Sequence, residues 1–441
     1  MSPEDSPMPD GPLTVLLTAE SAHGPTNNCI GIGTELLRMG HRVVFAAEES
    51  WEGKLAALGF EERLVAMAPP PPADEVTAAG QVWIDFIRDT APHFRTPTIE
   101  QISTVIEPIW RQLLDAAVYA QPQYAAVVEE FAPDVIAQDN VSAFPALVSG
   151  STPWVRLVSA QPLEMKGPGV PPTFSGLPAG DPSGWADYRA EYTRACAGVW
   201  ADYDAFCRDQ GAPGLPADEF IHEGAWNLYI YPAAIDYLDA RPLNDKWRRI
   251  QSSVRTTDAT VEVPEHILNG SGSLIYLSLG SLGGADVDLM KRLTGFLAES
   301  PHRFIVSKGP RADEYDLPDN MWGAGMVPQT TLIGLCDLVV THGGNNTICE
   351  AFHFGKPTIV LPLFWDQYDN AQRVDETGLG RRLDTYRVER DELVGAIDDL
   401  LGDGPLRARM AQIGEQVRAE NGVQHAAATI AEVGRRHRAA G

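Results

Sequence analysis

Between residues 338 and 367 the chain runs from an apolar strand (Leu338, Val339, Val340) through a His342-Gly343-Gly344 turn into a helix opened by Asn345, Asn346 and Thr347. A second apolar strand follows at 358–362. Strand, helix and strand joined this tightly imply parallel pairing in a helix-covered sheet. The same turn builds an anion site. Its glycines let backbone approach a ligand, and the first N–H groups of the helix have no partners inside it. The helix dipole adds about half a positive charge at that end. Asp366-Gln367 follow the second strand and return to the same sheet edge. A carboxylate beside an amide suits vicinal hydroxyls. Phosphate on the amides with hydroxyls above them describes a nucleotide sugar.

The same alternation fills the rest of the chain. Strands are predicted at 13–19, 42–47, 134–137, 155–159 and 228–231, the last read as closing the first half. Helices are predicted at 29–39, 55–58, 82–88, 99–118 and 188–208. Residues 166–183 are dense in Pro and Gly and read as a long binding loop or lid. The second half restarts with strands at 274–279 and 304–307, a helix at 286–298, and closing helices at 389–401 and 407–419. The organisation predicted is a first domain at 1–235, a linker at 236–265 and a second domain at 266–441. Two α/β halves of similar size facing across a cleft is the economical architecture.

Composition limits the partners. The 441 residues carry a net charge of −26, which repels nucleic acid and anionic membranes. A diphosphate must then be held by backbone amides and local dipoles rather than by a basic patch. Cys29, Cys196, Cys207, Cys336 and Cys349 are an odd number in mostly apolar patterns; buried free thiols in a reducing cytoplasm are expected. No charged-then-apolar leader opens the sequence, and no apolar run reaches membrane-spanning length, so no stable membrane insertion is expected. A homodimer is compatible with all of this.

In order and spacing, the block from Met326 to Gln367 resembles the donor-binding signature of the family 1 glycosyltransferases in their bacterial form. Those enzymes have a GT-B fold, two Rossmann-like parallel-sheet domains, and transfer a sugar from a UDP- or dTDP-sugar to a small acceptor with inversion. The resemblance implies that His342 donates to the α-phosphate, and that Gly344, Asn345, Asn346 and Thr347 form the helix start beneath the diphosphate. It implies that Glu350 accepts from the ribose with help from Gln329, that the backbone of Val327 pairs with the base edge, and that Asp366 and Gln367 hold the sugar. Ser281 matches a phosphate-proximal hydroxyl. Where the family stacks a Trp on the base this chain has Met326, a softer and less directional surface.

The acceptor base is displaced. The family uses a His in the loop after the first strand, paired with an Asp from a later strand end. Asp139 stands at the Asp position. Counting back from Gly40-His41, the His position falls on Pro25, which has no acid–base chemistry. His23 lies two residues earlier. Either a rearranged loop at 21–28 brings His23 to the acceptor, or His23 is a solvated loop residue and the base is lost or replaced. His41 is read as structural. Gly31 and Gly33 fall inside a helical pattern and are no dinucleotide fingerprint. Asp286/Asp288 and Asp202/Asp204 are chance acidic pairs in helical contexts, so no metal or other cofactor is expected. The acceptor is expected to be a small, largely apolar natural product among Trp83, Phe86, Phe144 and Trp154, beneath 166–183. An epimerase or hydrolase on the same fold and a base-less auxiliary protein are the alternatives.

Overall fold

The computed structural model describes residues 11–20, 23–70, 81–238, 240–255 and 261–440. Two wholly parallel sheets form the frame. The first has seven strands in the order β3-β2-β1-β4-β5-β6-β7. These are β1 Thr14–Ala19, β2 Arg42–Glu48, β3 Glu61–Val65, β4 Val135–Asp139, β5 Trp154–Val158, β6 Trp226–Ile230 and β7 Trp247–Ile250. The second has six, in the order β10-β9-β8-β11-β12-β13: β8 Leu274–Ser278, β9 Arg303–Ser307, β10 Met321–Ala324, β11 Leu338–Thr341, β12 Thr358–Val360 and β13 Gly380–Arg382. Strand β4 is buried along its whole length, as are β5, β8 and β11. Apolar runs of this kind are what a sheet covered on both faces demands. The C-terminal ends of β5, β6 and β11 meet across the two domains, where Asn345 reaches Ser159 O and Ile230 O, the usual place for a site in such sheets.

Three details differ from expectation. The helix after β1 is His23–Arg38, beginning well before residue 29, and residues 21 and 22 lie outside the described set. Pro25 falls in the first helical turn, where a missing N–H costs nothing. Strand β6 is not the last of the first sheet. The segment 236–265, expected to be a linker, also contributes β7 to that sheet, paired in parallel with β6. Finally, the chain ends in a helix, Gly422–Ala440, that crosses back to the first domain. There Arg438 pairs with Asp134 at 2.5 Å and Gly434 meets Leu13 and Val135.

The glycines of the first helix serve packing. A Cβ on Gly33 would lie 2.6 Å from Leu17 and 2.7 Å from Phe60, so glycine lets the helix seat closely on β1. Asp286 caps the helix Val287–Leu297 by accepting from Leu289 N. Asp202 and Asp204 pair with Arg111 and Arg208. His41 accepts from Leu13 N.

Candidate active site

Strand β11 delivers the chain to His342 at the edge facing the first domain. Gly343, at φ +92, makes the turn, and Gly344 starts the helix Asn345–His353. The first helical amide to find a partner is Ile348 N, on Gly344 O. Among the described residues the N–H groups of Asn345, Asn346 and Thr347 have none, so three donors and the positive helix end point into the gap between domains.

His342 stands beside them. Its ring is held between two glycines: a Cβ on Gly280 would approach Cε1 to 2.8 Å, and one on Gly344 would approach Nε2 to 2.6 Å. Burial pulls its pKa down to about 4, only partly opposed by a backbone hydrogen bond with Ser278. The imidazole is thus neutral at pH 7 and offers one N–H as a dipole rather than a charge. Ser281 lies exposed in the helix Gly280–Ala285 alongside.

One turn further, Glu350 is buried at 1 % exposure and accepts from Gln329 Nε2, from Asn346 Nδ2 at 3.1 Å and from Arg255 at 3.2 Å. Gln329 also donates to Thr347 Oγ1 and accepts from Tyr276 OH. This network fixes the carboxylate for hydroxyl recognition. Val327 is half-buried at the base of this region, and Met326 is 76 % exposed. A thioether standing that far into solvent is an open platform for a flat ring.

Two expected ligands also fasten the domains together. The Asn345 side chain donates to Ser159 O at 2.7 Å and Ile230 O at 3.1 Å across the gap, leaving its backbone N–H and its unpartnered Oδ1. Asp366 accepts from Gln161 N at 3.0 Å, and burial lifts its carboxyl to about 6. Gln367 Oε1 caps Leu363 N and Phe364 N; its amide group remains for donation. The halves are closed on one another here.

The expected dyad of His23 and Asp139 is not assembled. His23 opens its helix with the ring 5.5 Å from Trp51, and the charges that act on it are Lys54, Glu48 and Arg255. The sequence left open a rearranged loop or a solvated His23; its backbone lies in a helical first turn and its side chain is exposed. Asp139, at the end of β4 and 4 % exposed, accepts instead from Ser159 N and Oγ. Its Oδ2 has no partner.

Sequence reasoning missed several participants. Glu20, the first residue after β1, enters the gap beside Asp139. Asp369 accepts from Phe174 N and Gly176 N, joining the loop 166–183 to the second domain. Phe174 and Trp365 stack at 4.0 Å across the boundary, both at positive φ (66° and 58°), a conformation costing about 1–3 kcal/mol in a non-glycine residue. The loop thus bridges domains as well as covering the first. Phe144 and Trp154 are core residues, and the side chains of Trp83 and Phe86 lie outside the described residues. A carboxylate directly after an all-apolar strand is the signal that could have found Glu20.

Among the described residues, no group of three or more His, Cys, Asp or Glu side chains is arranged to hold a metal ion. In that same set no helix is long and apolar enough to cross a membrane. All five cysteines are buried and unpaired.

Comparison with known proteins places this geometry. Residues 292–433 match the family model described as erythromycin biosynthesis protein CIII-like, C-terminal domain. The chain is 24 % identical to the oleandomycin glycosyltransferase of Streptomyces antibioticus, over 97 % of this chain and 92 % of that protein. It is 32 % identical to the NDP-glycosyltransferase YjiC of Bacillus subtilis over 52 % of this chain and 59 % of that one. A sterol 3-beta-glucosyltransferase of Debaryomyces hansenii is 22 % identical over 97 % of this chain, which spans 28 % of that relative's length. Among solved structures, the glycosyltransferase of kitacinnamycin aligns with a TM-score of 0.68 at 22 % identity, over 96 % of this chain and 100 % of that one. VinC, solved in complex with dTDP, aligns at 0.65 and 17 % identity, over 96 % and 100 %. These likenesses and the two parallel sheets give the fold as GT-B.

Proposed function

Starting from a chain that is a relative of the family 1 glycosyltransferases of bacterial natural-product type, we infer an inverting hexosyltransferase acting on a UDP- or dTDP-sugar. The observation that carries this is the convergence of the free amides at Asn345–Thr347, the neutral His342 and the Glu350–Gln329 pair on one edge. The first two suit a diphosphate and the third a ribose; Asp366 and Gln367, one strand over, suit the sugar. Solved relatives described as bound to dTDP or thymidine diphosphate support the same donor class.

In this reading the leaving diphosphate gains charge as its bond to the sugar carbon breaks. The helix amides and the His342 N–H are already aimed where that charge develops, which is worth about 10²–10³-fold per donor in comparable sites. No bound cation takes part. Met326 packs on the nucleobase with the Val327 backbone at its edge, and Ser281 lies near the phosphates. The acceptor is a small apolar natural product entering from the first domain once the domains part. Binding energy from both substrates then recloses them and excludes water. The protein works in the cytoplasm, with no membrane or nucleic-acid partner.

The test is product analysis with UDP- and dTDP-hexoses, with and without a panel of hydroxylated apolar acceptors. Glycoside formed with inverted anomeric configuration, dependent on acceptor, is the expected result. Sugar release or epimer formation at equal rate without acceptor would replace the reading by a hydrolase or epimerase on this fold. Donor binding with no turnover would make the protein an auxiliary.

A further inference from the structure

We propose that Glu20 is the base that takes the acceptor's proton, in the place left by Pro25. The inference rests on the transferase reading above and names a residue within that site.

The geometry begins at the strand ends. Ala19 of β1 is in register with Asp139 of β4, and Glu20 N donates to Asp139 O at 3.0 Å. Glu20 therefore projects from the C-terminal edge of the first sheet, where the other domain faces it. Three carboxylates from three different segments surround it: Asp139 from β4, Asp366 from the turn after β12, and Glu164 after β5. Tyr203, from the helix Trp185–Asp209, also faces this group. Among the described residues Arg156, a cation acting on Asp139, is committed to Glu164 in a buried pair at 2.5 Å. Among the described residues no hydrogen bond reaches the Glu20 carboxyl, and Asp139 Oδ2 beside it is buried and unpartnered. The Glu20 carboxyl and the buried Asp139 Oδ2 thus lack hydrogen-bond partners on the side of the first domain that meets Asp366, the residue assigned to the donor sugar. A hydroxyl arriving there would satisfy them.

The electrostatics support that role. Burial raises the Glu20 carboxyl from the usual carboxylate range to about 7, with Asp139, Asp366 and Glu164 adding to the shift. A base is most effective when its pKa lies near the working pH. His23, by contrast, has its pKa lowered by burial and by Lys54 and faces Trp51.

The step balances simply. The Glu20 carboxylate removes the acceptor O–H proton while the acceptor oxygen's electron pair forms the bond to the sugar's anomeric carbon. The carbon–oxygen bond to the β-phosphate breaks, its pair staying on the diphosphate. The proton leaves Glu20 for solvent when the domains reopen.

The experiment compares Glu20→Gln, Glu20→Asp and His23→Ala in the full chain, with acceptor alcohols of graded acidity. Calorimetry with UDP and dTDP is run on each variant. The proposal expects Glu20→Gln to lower kcat by about 10²–10⁴-fold with diphosphate affinity unchanged. The loss should shrink steeply for phenolic acceptors, Glu20→Asp should recover part of the rate, and the fall in kcat/KM below pH 7 should vanish in Glu20→Gln. His23→Ala should keep most of its activity. A Glu20→Gln enzyme with wild-type rate and pH profile overturns the proposal, as does a uniform loss across all acceptors; the transferase reading survives either. A wild-type chain that binds no nucleotide diphosphate removes that reading first and the proposal with it.

Discussion

In the proposed reading His342 lets an acidic chain hold an anion. Its burial keeps the imidazole uncharged, so it contributes a directed N–H and avoids a buried charge that nothing nearby would compensate. Its position depends on the absence of side chains above and below. Gly280 sits at φ +68 with no room for a methyl group against the ring. Replacing Gly280 with Ala should push the imidazole away from the helix start, weaken dTDP binding by roughly tenfold or more and cost about 1–2 kcal/mol of stability. Titration calorimetry beside a thermal melt measures both, and unchanged affinity would detach His342 from the phosphates. At this scale the sequence was most legible for His342, Asn346, Thr347, Glu350 and Gln329: four lie along the turn and helix Asn345–His353, and Gln329 reaches them from the start of the helix Gln329–Leu335. It was least legible for Glu20, whose setting depends on Asp139 and Asp366 arriving from distant parts of the chain.

Elements were readable in proportion to their burial. The inner strands β1, β2, β4, β5, β6, β8, β9, β11 and β12 are mostly apolar and stand out as runs. The four strands that escaped notice, β3, β7, β10 and β13, are the four sheet edges. Three of them, EERLV, WRRI and GRR, carry the charge that edge strands use to discourage further pairing, and β10, MWGA, is simply short. The helix Asn345–His353 shows a different limit. Its start looked like ligand-binding surface alone, yet the Asn345 side chain and Cys349 Sγ both reach Ile230 O in the other domain. In the proposed reading the backbone binds the anion, while these side chains fasten the domains. Asn345→Ala should therefore leave dTDP affinity intact but strand two carbonyls in the closed state, costing about 1–3 kcal/mol. Small-angle scattering should show a more open molecule, and scattering identical to the parent would deny Asn345 that role.

For the molecule as a whole, two domains, their order and their class were visible because the alternation of strand and helix restarts after residue 265. Their closure was not, since it is made by pairs such as Asp369 with the loop 166–183 and by the final helix returning to β4. That closure buries titratable groups, with opposite consequences on the two sides of neutrality. Burial raises Glu20 to about 7, Asp139 and Asp366 to about 6 and Asp369 to about 8. Their contribution is complete below the ordinary carboxylate range and is lost as pH climbs through 6 to 8. His342 and His353 are lowered to about 4 by burial, so theirs is complete above about 6.5 and is lost on descent to 4. Between about pH 4 and 6.5 the two sets oppose one another, and above 6.5 only the carboxylates still titrate, so calorimetric melting should show Tm falling between about pH 6.5 and 8; a Tm rising across that interval would contradict the assigned burial. The most direct test of how this chain grips its donor is a crystal grown with thymidine diphosphate and EDTA. The account predicts β- and α-phosphate density on the amides of Asn345–Thr347, in contact with His342 and with no cation between. An empty helix start, with the nucleotide bound elsewhere or only when a divalent metal is restored, would contradict it.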